Sequence, residues 1–220
     1  MKTAAWRRAV FQATLMLSLS ACVNVNIDRS YPARRYFVLD ANTAGIASQG
    51  AGAGVLRLGA VRVSPRYDGK GFVYRIAAQN FETDFYNQFL VAPGSMLTDE
   101  LSEALRRANL FQYIVNSSSA VEPAYLLEAT LDELYGDFSN DTAGSAVLGM
   151  TFVMSRLAGN SPQALFQKHY RSTVPLQARS PEALVRGWNR ALEEILAALI
   201  ADLELSSRSH DPAEKARSPF

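Results

Sequence analysis

The sequence predicts an α/β (α+β) fold: a mixed, largely antiparallel sheet packed with two main helices in a single domain. Three observations predict it. Leu184, Trp188, Leu192, Ile195, Leu199 and Leu203 keep three-to-four spacing over several turns, the stripe of a long amphipathic helix. Leu97, Leu101 and Leu105 repeat the pattern over a shorter stretch. The rest is divided into short runs rich in aromatic and β-branched residues, separated by turn-forming segments such as Pro65–Gly71 and Ser139–Gly144. With 220 residues, 48% hydrophobic and 20% charged, the chain can build one well-buried core. A three-layer sandwich is one arrangement open to these elements.

Taken in order, Arg35–Leu39 reads as a first strand, followed by a small, Gly-rich loop over Ala41–Gly54. Val55–Val63 alternates in part and predicts a second strand. Phe72–Ile76 predicts a third after the Pro65–Gly71 turn. Phe81–Leu90 predicts a fourth, with Phe81, Thr83, Phe85, Asn87 and Phe89 on one face. Pro93-Gly94 reads as a break, and a helix follows from about Met96 or Thr98 to Ala108, with Glu100, Glu103, Arg106 and Arg107 outward. Phe111–Val115 is a short strand. Tyr125–Phe138, Ala146–Met154 and Ala164–Leu176 are three more, joined by short turns that favour an antiparallel meander. Ala146–Met154 is apolar on both faces, as in a central strand of a covered sheet. The long helix opens at Ser180-Pro181, with Ser as N-cap and Pro in the first turn.

The N-terminus adds an address. Lys2, Arg7 and Arg8 precede a mostly apolar run over Ala9–Leu19, and Leu19-Ser20-Ala21-Cys22 follows. This is the order of a secretory signal with small residues before its cleavage point. Cys22, the single cysteine, stands where a bacterial lipobox places the residue that is acylated and becomes the new N-terminus. The plainer alternative is an ordinary signal that ends near a buried cysteine. The apolar run falls short of the ~20 residues that span a bilayer. Several acyl chains, at about 0.8 kcal/mol per buried methylene, would hold the protein stably on a membrane surface. Val23 follows the cysteine where Asp commonly retains such proteins at the inner membrane, which favours the periplasmic face of the outer membrane. The expected division is 1–21 lipoprotein signal peptide, 22–34 lipidated tether, 35–205 folded domain and 206–220 disordered tail.

Charge and chemistry exclude several function classes. Lysine and arginine number 22 against 21 acidic residues, and loss of the signal would remove three of the basic ones, so no concentrated basic face for nucleic acid is expected. The two histidines are His169, within a strand, and His210, in the tail. Neither comes with nucleophile or carboxylate spacing that marks a catalytic group. No His/Cys/Asp/Glu run has metal-ligand spacing, and Gly50–Gly54 lacks the Lys-Ser/Thr and the following helix of a phosphate loop. Hence no catalytic residue, metal or cofactor is expected. The one dense functional signal is aromatic: Tyr67, Phe72, Tyr74, Phe81, Phe85, Tyr86 and Phe89 fall in one short stretch, shared between core packing and a partner surface.

That stretch also carries a resemblance. Arg35-Tyr36-Phe37-Val38-Leu39 after the lipobox, Val61-Arg62-Val63-Ser64-Pro65, Tyr67–Arg75 (YDGKGFVYR) and Asp84–Phe89 (DFYNQF) leading to Pro93 resemble the ABC-type transport auxiliary lipoprotein family, the PqiC/YmbA group. The spacing to Leu97–Arg107 and Leu110-Phe111 fits too, so the resemblance covers about Arg35 to Leu203. It implies a non-enzymatic, lipid-anchored accessory subunit of a lipid transport system. Its partner would be a mammalian-cell-entry-type substrate-binding protein of an ABC transporter, docked to the outer membrane. A homo-oligomeric ring would suit a tube-like partner. Besides Cys22 for lipidation, the motif positions Tyr67, Phe72, Tyr74, Arg75 and Tyr86 are the candidate partner or motif surface. An outer-membrane lipoprotein that regulates cell-wall synthesis or lipopolysaccharide assembly is the alternative.

Overall fold

The sheet is organised around one long strand. The structure, a computed structural model, describes residues 32–45, 54–140, 143–157 and 161–209. The signal segment, Cys22, most of the tether, part of the Gly-rich loop and the tail from 210 lie outside the described residues. Nine strands form one sheet: β1 (Arg35–Phe37), β2 (Val55–Leu58), β3 (Arg62–Val63), β4 (Gly71–Ala77), β5 (Asn80–Phe89), β6 (Tyr113–Val115), β7 (Tyr125–Asp137), β8 (Ser145–Arg156) and β9 (Gln163–Pro175). Two helices, α1 (Pro93–Ala108) and α2 (Pro181–Ser209), complete the fold.

On one edge β7 pairs antiparallel with β8, and β8 with β9, the meander expected from the short turns. Its other edge is shared by three short strands in succession. β2 pairs parallel with it at Tyr125–Leu127, β3 at Thr130–Leu131 and β4 at Gly136–Asp137. β5 then pairs antiparallel with β4, and β1 closes that side in parallel with β5, while β6 lies beyond β2. The sheet is therefore mixed: its long pairings are antiparallel and its short ones parallel.

Both helices sit on one face, α1 against β3, β6 and α2, and α2 against β8 and β9. The fold has two layers, not three. The core lies between them. Leu127, Ala129, Leu131, Leu134, Ala146, Leu148, Met150 and Phe152 from the sheet are buried with Leu184, Trp188, Leu192, Ile195, Leu199 and Leu203 from α2. A bulge at Asp132, between Leu131 and Glu133, shifts the alternation so that Leu134 continues the apolar side of β7. Trp188 is fully buried, donates its indole N–H to the Tyr135 carbonyl (3.3 Å) and packs on Phe72 (5.0 Å) and Phe89 (5.5 Å). Gly187 sets the approach of α2: a Cβ there would lie 2.6 Å from the Ala146 Cβ.

Four local expectations are corrected. Val55–Val63 is two strands rather than one, because Leu56, Leu58 and Val61 are all buried and strict alternation cannot bury both parities. The break is held by Gly59 N–H to the Leu127 carbonyl (3.0 Å) and Val61 N–H to Thr98 Oγ1 (2.9 Å). Pro93-Gly94 starts α1 instead of preceding it, since proline in a first turn forfeits no intrahelical bond. Thr98 is thus inside α1, where its hydroxyl donates to the Gly94 carbonyl (2.7 Å). Glu103 pairs with Arg106 and Arg107 on the outer side, but Glu100 turns toward the loop after β1 and accepts the Ala41 N–H (3.0 Å). Finally, α2 continues to Ser209 beyond the expected end at Leu205; Ser180 Oγ caps its start by accepting the Ala183 N–H (3.2 Å).

Candidate functional site

The aromatic motif folds around a carboxylate. β5 departs from regular pairing with β4 between Gly71 and Val73, and Asp84 organises the extra residues. Its Oδ1 accepts the backbone N–H groups of Tyr86 (2.7 Å) and Asn87 (3.0 Å). Its Oδ2 accepts the Tyr74 hydroxyl (2.7 Å) and the Asn87 amide (2.6 Å). Asn87 Oδ1 in turn accepts Arg35 Nε (3.0 Å), and Arg35 reaches Glu182 at the start of α2 (2.5 Å). Burial pushes the Asp84 carboxyl up, but the bonds from Asn87, Tyr74 and Tyr86 outweigh it, and the net shift is downward. Burial and the bond to Asp84 both push the Tyr74 hydroxyl up. Gly71 allows the close crossing, since a Cβ there would lie 2.6 Å from Thr83 Cγ2 and 2.7 Å from the Asp84 carbonyl oxygen.

This irregularity undoes the single-face reading of Phe81–Phe89. Phe89 enters the helix-side core, Phe81 packs edge-on against Tyr135 on the opposite face (5.6 Å), and Phe85 is exposed. The motif positions are likewise divided. Phe72 is fully buried and Tyr74 half-buried on the helix side. Tyr67 and Arg75 meet on the other face, both against Tyr135, Tyr67 stacked at 6.2 Å and the Arg75 guanidinium at 5.3 Å. Tyr86 is exposed beside the β1 edge. The five do not converge on one site.

What the helix-free face does gather is a cluster around Tyr135 that the motif pattern passed over. Arg75 grips Asp137 through two bonds, Nε to Oδ1 at 3.1 Å and Nη2 to Oδ2. Arg171 Nε donates to Glu133 (2.7 Å), and Arg66 lies over Phe81 (5.6 Å). Glu133, Tyr135 and Asp137 occupy alternate positions of β7, and that period-two spacing is the sequence signal that could have found them. The Arg75 guanidinium holds the Asp137 carboxyl down at about 2. A carboxylate depressed in the folded state stabilises above its unfolded value near 3.9 and loses that contribution as pH falls through the folded one. Asp137→Asn is therefore expected to cost on the order of 2 kcal/mol at pH 7, with the gap to the native protein closing between about pH 4 and pH 2 in urea titrations.

His169 lies on the same face. Thr151 donates to Asp132 (2.6 Å), yet both Thr151 (3.1 Å) and Asp132 (3.3 Å) meet the same ring nitrogen, Nδ1. A relay needs one partner on each nitrogen, so this trio has no triad geometry. A cleft of about 310 Å³ at the start of α2 is walled by Tyr74, Ile76, Phe138 and Leu184, with Arg179 and Ser180 at its rim. It offers room for an apolar group. Among the described residues no three His, Cys, Asp or Glu side chains are placed to hold a metal, and no helix is long and apolar enough to cross a membrane.

Comparison with known proteins decides the family. The model of the ABC-type transport auxiliary lipoprotein component matches residues 37–201. The chain belongs to that family. No curated protein matches this chain significantly. Its fold is similar to the crystal structure of a Xanthomonas campestris protein of family DUF330, with TM-score 0.68 and 10% identity over 80% of this chain and 98% of that one. It is also similar to that of an uncharacterized protein, with TM-score 0.60 and 13% identity over 78% and 99%. At these identities the likeness is one of fold. The family is one of transport auxiliary lipoproteins rather than of enzymes.

Proposed function

We propose that the protein is a lipid-anchored, periplasmic accessory subunit of an ABC-type lipid transport system, docking a mammalian-cell-entry-type conduit protein to the outer membrane. The family match over residues 37–201 carries this reading. A cysteine in lipobox context just before the domain supports it, because an accessory subunit without catalytic geometry acts through where it is held and what it holds. The contact would be a protein surface, and the acyl chains would supply the membrane end. In-cell crosslinking followed by purification is expected to recover a mammalian-cell-entry-type protein. Repeated recovery of a cell-wall synthase or a lipopolysaccharide-assembly protein in its place would overturn the proposal.

A further inference from the structure

Ten large apolar side chains are exposed among the described residues; Ile76, Tyr113, Val121 and Leu205 stand apart, and the other six gather at one edge of the sheet. Tyr36, Val38, Phe85, Tyr86, Leu90 and Val91 all come from β1, β5 and the turn into α1, and Tyr36, Phe85 and Leu90 each exceed half exposure. The pairing register explains why they lie together. β1 is the last strand on its side of the sheet, and Tyr36 is paired with Gln88 of β5. The same-face diagonal neighbours of Tyr36 are then Tyr86 and Leu90. Phe37 and Phe89, at the alternate positions, point to the core, so Tyr36, Tyr86 and Leu90 point away from the helices. The backbone is tied here by Leu90 N–H to the Phe37 carbonyl (2.8 Å), and Phe85 packs edge-on with Tyr86 (5.4 Å). Cations border the stripe: Arg34 lies 4.1 Å over the Phe85 ring, and Lys70 Nζ donates to the Leu90 carbonyl (2.9 Å). Farther from the edge the same face is polar, with Arg75, Asp137, Glu133 and Arg171.

Resting on the reading of Cys22 as a lipid anchor, we infer that this Tyr36–Tyr86–Leu90 stripe is a second membrane contact, seated in the headgroup layer of the bilayer that holds the acyl chains. Sequence continuity singles out a bilayer as the occupant. Positions 23–33 are all that separates Cys22 from Arg34 and the stripe, so the anchor keeps β1 within about 40 Å of the lipid even when fully extended. At that distance the effective concentration of membrane is high, and an apolar contact too weak to bind alone is populated. Tyrosines beside an arginine and a lysine suit an interface that is apolar on one side and wet on the other. Seating the stripe fixes the orientation of the domain, which a single point of attachment does not.

The test uses the lipidated mature protein reconstituted into phosphatidylethanolamine–phosphatidylglycerol vesicles carrying brominated acyl chains. Tyr36→Trp and Tyr86→Trp place reporters in the stripe, and Tyr113→Trp places one on β6 at the opposite edge of the sheet, where the native tyrosine is also exposed. Trp188 is fully buried and gives a constant background. Flotation with the vesicles reports the anchor separately. Quenching at 36 and 86 at least twofold greater than at 113 is expected. Equal quenching at all three in a protein that floats would overturn the second contact while leaving the anchor intact. Sedimentation of the soluble Cys22→Ala form gives the other arm: self-association abolished by Tyr36→Ser with Leu90→Ser would assign the stripe to a second copy of the chain and sink the membrane assignment.

Discussion

Cys22→Ala should move the protein from the membrane to the soluble fraction and abolish its function while leaving its melting temperature unchanged. A stable anchor needs more than one acyl chain, and removing the attachment atom removes every chain at once, together with about 0.8 kcal/mol for each methylene they bury. Membrane partition would fall by orders of magnitude. The folded domain should not share in the loss, because its core among the described residues is built from Phe37 onward. Fractionation, thermal melting and complementation of a deletion strain check the three parts. A soluble Cys22→Ala protein that still complemented would show that lipidation only delivers the domain.

Trp188→Ala is expected to have the largest effect on stability, about 3–5 kcal/mol, which is enough to unfold many domains of this size. The substitution leaves a cavity where Phe72 and Phe89 now meet the indole, and it strands the Tyr135 carbonyl without its donor. Urea denaturation of the soluble form would read the loss. Trp188→Phe, which keeps most of the volume and loses the N–H, should cost less than half as much. Equal losses for the two would place the weight on the hydrogen bond rather than on the packing.

Local pattern recovered what local physics decides. The stripe of α2, its Ser180 cap and the three-strand meander are each set by residues near one another in sequence, and each was legible. What pattern missed was decided by distant partners. Nothing between Val55 and Val63 announces that the segment must split, because the split serves β7, which lies more than sixty residues onward. The alternation of Phe81–Phe89 fails for a similar reason: Asp84 draws its bonds from Tyr74 on the previous strand as well as from its own neighbours. Arg75 finds Asp137 across the sheet rather than Asp84 nearby, a choice that only the parallel pairing of β4 with β7 makes available. The family motif was visible as a string of residues, but its division between the core, the Tyr135 cluster and the β1 edge was not.

The place of β7 has a consequence for how the chain can be made. Three strands, β2, β3 and β4, take their partner from a segment that follows all of them in the chain. Closing such long loops makes folding slow relative to helical proteins of equal size. A polypeptide emerging N-terminus first therefore cannot pair these strands with β7 until Tyr125–Asp137 has followed, and β8 and β9 extend the sheet later still. Under the export and lipidation proposed above, a delay of this kind would keep the chain pliable in transit and let acylation at Cys22 precede the folding of the domain behind it.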